Sequence, residues 1–216
     1  MPLRLRYGAV ALALLATAAV AAGAPADAPG ALRELALAGN VDAIRPMGPR
    51  VLPQLVALYG ETADPRGRAT LAYVFYGLGW KSAAAKAALL RDIHTSDQTL
   101  RLQVQWALGR VSADPDVVDA LLENMRHDAS PLFRDKAACA LAYDQIHLSP
   151  RQKLRLFRGL VDALEDPNLQ VRQISLQALQ RLTGQTKGFG ARADAAARAR
   201  AVAAWRAWLV DLEQEL

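Results

Sequence analysis

The sequence has one cysteine, Cys139, so no intramolecular disulfide framework can hold the chain together. Aromatic residues make up only 6% of it and β-branched residues are scarce, while Ala, Leu, Arg and Gln dominate, with 44 alanines alone. That composition sums to strong helix propensity along most of the chain. There are three histidines, and no Ser or Cys stands in a nucleophile-elbow sequence. No Gly-Lys-Ser/Thr run follows a strand pattern, so a nucleotide-binding loop has no support. Long hydrophobic runs are also missing: the uncharged stretch 7–22 falls short of the roughly 20 residues that a membrane-spanning helix needs. Hydrophobic residues at 52% and charged residues at 22% lie near globular averages, which excludes both a disordered chain and a multi-span membrane protein. A length of 216 residues suits one ordinary domain.

The amino end has the three-part plan of a secretory signal. Arg4 and Arg6 precede the apolar run, and the small residues Ala19, Val20 and Ala21 close it. Residues 1–21 are therefore expected to be a signal peptide, with a periplasmic or secreted mature protein and no membrane span after cleavage. Removing Arg4 and Arg6 lowers the formal net charge from +5 to +3. So small an excess does not point to nucleic acid, because phosphate tracking needs clustered cations. Residues 22–30, rich in Ala, Pro and Gly, are expected to form a flexible linker.

Beyond the linker the chain is repetitive. Arg68, Arg101, Arg134 and Arg172 are spaced by 33, 33 and 38 residues, within the range of stacked helical-hairpin repeats. Three, six and seven residues after each anchor stand apolar or small residues: Leu71, Val74 and Phe75; Val104, Ala107 and Leu108; Ala137, Ala140 and Leu141; Ser175, Ala178 and Leu179. Those offsets share one helical face, so each anchor is placed in the first turns of a helix with a buried stripe. Four residues before the anchors come Asp64, Asp97, Ser130 and Asn168, all preferred N-cap types. Pro65 and Pro131 follow two of them where a missing N–H costs nothing. The segments 51–59, 83–94, 115–127 and 150–165 carry helical spacing and supply the first helix of each hairpin. Residues 31–38 and 41–44 make an irregular half-repeat at the front.

Residues Leu160, Val161, Asp162, Ala163, Leu164, Glu165, Asp166 and Pro167, then Val171-Arg172 and Ala178-Leu179, resemble a HEAT repeat of the short bacterial kind. The likeness covers 31–183 in outline and is most specific at 150–183. It implies an all-α fold, a right-handed α–α superhelix of helical hairpins. It also implies a ladder between neighbouring repeats, carried over at Asp128 with Arg134 and at Asp166 with Arg172. The pattern departs at Arg68 and Arg101, where Thr62 and Thr95 stand in the aspartate's place. The final segment, 184–216, is similar to the close of exported HEAT-like proteins: a Thr-Gly turn at Thr183-Gly184, then a Trp-containing capping helix over 192–214 with Trp205 and Trp208.

Membership of that family implies a binding scaffold more often than a catalyst. His94 and His127 occupy equivalent places one repeat apart, about 10 Å by helix packing distance, too far for one metal ion. Glu61 and Glu165 fill the same column, so it reads as a solvated edge. No metal or cofactor is expected. Offsets of one, five and eight from each anchor point away from the buried stripe, toward the concave face, and place Tyr73, Tyr76, Leu102 and Trp106 there with Gln173, Gln177 and Gln180 further along. Exposed aromatics of this kind would bind a protein or peptide partner; the other reading is that the superhelix curls, or the amino-terminal segment folds over, and buries them. The alternative implied by the resemblance is an enzyme or prosthetic-group-handling protein of the bilin-lyase-like class using the same groove.

Overall fold

The computed structural model describes residues 29–144 and 148–216. The expected signal peptide, most of the expected linker and His147 lie outside the described residues. Eleven α-helices and no strand occur among the described residues. In chain order they are α1 (Pro29–Leu37), α2 (Val41–Ile44), α3 (Leu52–Glu61), α4 (Pro65–Leu78), α5 (Ala83–Leu90), α6 (Gln98–Val111), α7 (Pro115–His127), α8 (Pro131–Cys139), α9 (Pro150–Ala163), α10 (Leu169–Thr183) and α11 (Ala195–Gln214). The helix α1 starts at Pro29, so 29–30 belong to it and not to the linker. A proline suits the first helical position because its φ is already helical and its missing N–H would have had no partner.

Helices α3 to α10 pair as four hairpins, and the hairpins stack in two layers. First helices meet first helices, α3 on α5, α7 on α9 and then α9 on α11, while second helices meet second helices, α4 on α6, α6 on α8 and α8 on α10. The stripe at offsets three, six and seven is the reason. All twelve of its residues are buried, including Ser175, so every second helix turns the same face into the seam between layers. Close approach of the first helices depends on Gly159, where a Cβ would stand 2.6 Å from Met125 Cε.

Cap chemistry sets the starts of the second helices. The side chains of Asp64, Asp97 and Asn168 each accept a backbone N–H of the first turn. Ser130 stands at the N-cap of α8 but makes no such bond. Ser149 and Gln152 close a reciprocal capping box at the start of α9. The helices α4 and α10 stop at Gly79 and Gly184, both left-handed, a conformation that costs glycine nothing.

Two segments depart from the spacing. Helix α5 ends at Leu90, not at 94, because the chain tightens into i→i+3 turns there, Asp92 N–H donating to Leu89 O at 3.0 Å. Helix α8 ends at Cys139 and opens into a π-helical turn, Ala140–Asp144. Such wide turns recur at functional sites.

Candidate functional site

Two rows of side chains run along the second helices, one at each end of them. The first row is the arginine ladder near their N-termini. Arg68 Nη1 donates to both carboxylate oxygens of Asp92 at 3.1 Å, and Tyr59 Oη donates to the same carboxylate at 2.6 Å. Burial, together with that bond, pushes the Tyr59 hydroxyl well above its ordinary pKa. Arg101 pairs with Asp128 and lies 4.3 Å from the Phe133 ring centroid. Arg134 grips Asp166 through Nε at 2.6 Å and Nη2 at 2.9 Å, a two-point arrangement that fixes orientation as well as charge.

Each of these three arginines therefore reaches the carboxylate of the next hairpin along. Where an arginine also bonds its own hairpin, it does so through carbonyls. Arg134 donates to Asp128 O at 2.8 Å, and Arg172 to Asp166 O at 2.7 Å. The residues Asp128 with Arg134 and Asp166 with Arg172 do meet, but through the backbone, and the carboxylates face one hairpin back. Arg68 and Arg101 thus join the ladder despite Thr62 and Thr95. Among the described residues a single helix, α11, follows α10, and Arg172 Nε donates to Ala191 O at 3.2 Å.

The second row lies from the middle of the helices toward their C-termini, apart from Leu102, which directly follows Arg101. Tyr73 is 45% exposed, with its ring 3.7 Å from where a Cβ on Gly39, in the α1–α2 turn, would stand. Tyr76, Leu102 and Trp106 are half-buried. Tyr76 packs against the core and against Trp106, ring centroids 6.0 Å apart, and the Arg110 guanidinium lies 5.3 Å from the Tyr76 centroid. Tyr143 and Arg181 repeat the theme two hairpins on, at 4.6 Å.

This face is narrower than offset arithmetic suggests. At offset one, Ala69 and Asp135 are buried, and at offset eight so are Gly109 and Ala142. The second helices press so closely that these flanks fall inside the seam between neighbours. Offset five stays more open, with Tyr73 and Gln177 exposed and Trp106 and Cys139 half-buried. Gln173 is half-buried and Gln180 exposed.

Three features carry no periodic signal in the sequence. Asp135 is buried, one oxygen held by Lys136 Nζ at 2.8 Å and the other without a hydrogen-bond partner. That bond holds the Lys136 ammonium above its ordinary pKa. Gln105 is wholly buried with neither side-chain polar atom bonded. The outer layer is laced by exposed pairs, Lys86 to Asp114 and Asp116, Arg126 to Asp162, Arg158 to Glu213 and Arg206 to Glu165. Pairs so exposed add little to stability, because solvent screens them.

His94 and His127 are exposed. Among the described residues, no three His, Cys, Asp or Glu side chains gather as a metal site requires. No helix among them is long and apolar enough to cross a membrane. No protein-family model matches the chain, and no curated protein is detectably similar to it.

Proposed function

We propose that this chain is an exported HEAT-like scaffold that binds a protein or peptide partner along its second-helix face, without catalysis of its own. In this reading the hairpins form a right-handed α–α superhelix, α11 is the capping helix that closes it, and the second helices line its concave side. The supporting observation is the aromatic column: Tyr73 open to solvent beside the Tyr76–Trp106 stack, with Leu102 on the same face. Half-buried rings in such a column are already fixed in place, so a partner gains contact area without first having to order them.

Trp106→Ala tests the reading. Truncating a central aromatic anchor removes about 2 kcal/mol or more of binding, roughly a thirtyfold weakening. Because Trp106 is half-buried, the variant should keep most of its stability. The expected result is reduced capture of a partner from the native envelope fraction, with a urea midpoint close to the parent's. A collapsed midpoint would assign Trp106 to the core and sink the groove.

Export has its own measurement. The mature protein is expected to begin near Ala22, and intact mass on protein from its native envelope decides it. A chain that keeps residues 1–21 would show that the leader is not cleaved.

A further inference from the structure

A cavity of about 440 Å³ lies where the π-helical turn meets the outer layer. Its wall is apolar: Ala142 from the turn, Leu156 and Phe157 from α9, Leu182 from the last turn of α10, and Leu148 from the connecting segment. Of these, Ala142, Leu148, Leu156 and Phe157 are buried. The volume falls within the ~300–1,000 Å³ of small-molecule sites.

Two cations complete the lining, Lys153 and Arg181, and none of the described lining residues is acidic. Some neighbouring cations are paired. On the same helix as Lys153, Arg155 pairs with Asp119 and Arg158 with Glu213. Lys153 and Arg181 are exposed, and among the described residues neither meets a carboxylate. Arg181 is steadied instead by the Tyr143 ring, its guanidinium carbon 4.6 Å from the ring centroid. A ring engages the face of a guanidinium and leaves its in-plane N–H groups directed outward. An apolar cavity bearing two uncompensated donors asks for a ligand with one negative end and one apolar body.

We propose that this cavity binds a small anionic amphiphile, a carboxylate carried on an apolar chain. The carboxylate is held by Arg181 and Lys153, and the chain lies against Phe157, Leu156 and Leu182. The site takes Arg181 from the second row but uses none of Tyr73, Tyr76, Leu102 or Trp106, so it stands or falls without them.

Titration calorimetry on the full chain at low ionic strength, with decanoate, decylammonium and 1-decanol as probes, tests the proposal. Decanoate is expected to bind about tenfold or more tightly than either of the others, because only it brings a negative charge to pair with both cations. The double variant Lys153→Gln, Arg181→Gln should weaken decanoate by about tenfold or more and leave 1-decanol unchanged. A control pair, Arg33→Gln with Arg200→Gln, removes the same charge elsewhere and should leave decanoate binding at the parent's level. All four positions are exposed, so the fold is not at risk. Equal binding of decylammonium, no binding of decanoate, or an equal loss in the control pair would each overturn the proposal.

Discussion

Arg134→Ala is expected to lower the unfolding free energy by about 3–5 kcal/mol. Both partners of its ion pair are nearly out of solvent, the Arg134 side chain 11% exposed and that of Asp166 9%. Removing the arginine leaves the Asp166 carboxylate buried with the Asn168 N–H as its remaining bond, and an uncompensated buried charge costs far more than the pair itself contributes. Arg172→Ala should cost less, about 1–3 kcal/mol, since its partners are carbonyls of Asp166, Pro167 and Ala191 and no ionised group is abandoned. Urea midpoints for the two variants give the order directly. The double variant Arg134→Ala, Asp166→Ala should recover part of the loss, because the stranded charge goes with its partner. A midpoint for Arg134→Ala equal to that of the exposed control Arg33→Ala would mean that the pair contributes nothing.

Trp205→Ala is expected to cost a similar amount, about 3–5 kcal/mol, by a different route. Trp205 is fully buried, stacks edge-on against Trp208 at 5.3 Å and donates its indole N–H to Thr186 O at 3.2 Å. Trp208 in turn meets Phe157 of α9 at 5.3 Å. Truncation therefore opens a cavity at the contact that holds α11 to α9 and frees the 184–194 turn. Hydrogen exchange should report it locally: amides of α11 should lose protection while those of α4 and α6 keep theirs. Uniform loss of protection across all the helices would show that the last helix and the first hairpins unfold as one unit.

The two-layer packing was legible in the sequence because burial at offsets three, six and seven is a one-helix property, fixed by 3.6 residues per turn. The N-caps were legible for the same reason. The ladder was only half legible. Asp92 stands nine residues before Arg101, whereas Asp128 and Asp166 stand six before their arginines, so the aspartate that receives Arg68 falls outside the repeat's register. The early end of α5 brings it into place, a turn geometry that no spacing encodes. The aromatic face was legible as a list of residues but not as a surface. How far Ala69, Gly109, Asp135 and Ala142 sink depends on how closely neighbouring second helices approach, and that is set by contacts between repeats. Arg181 over Tyr143 could not be read at all, since the π-helical turn that carries Tyr143 interrupts the 3.6-residue period.

The ladder and the aromatic row occupy opposite ends of the same helices, and this has a mechanical consequence. Along the N-terminal edge, each hairpin is tied to the next by an arginine that grips a carboxylate ahead, and Arg134 is held by a carbonyl behind as well, so that edge resists stretching. Along the C-terminal edge the contacts are more varied: guanidinium planes over the Tyr76 and Tyr143 rings, and hydrogen bonds such as Gln152 Nε2 to Ala113 O at 2.9 Å. Bending of the stack is therefore expected to pivot on the ladder, with the C-terminal edge opening and closing like the free side of a fan. Tyr76, Trp106, Tyr143 and Arg181 ride on that free side, so the gap between the two aromatic clusters is the dimension that flexure changes most.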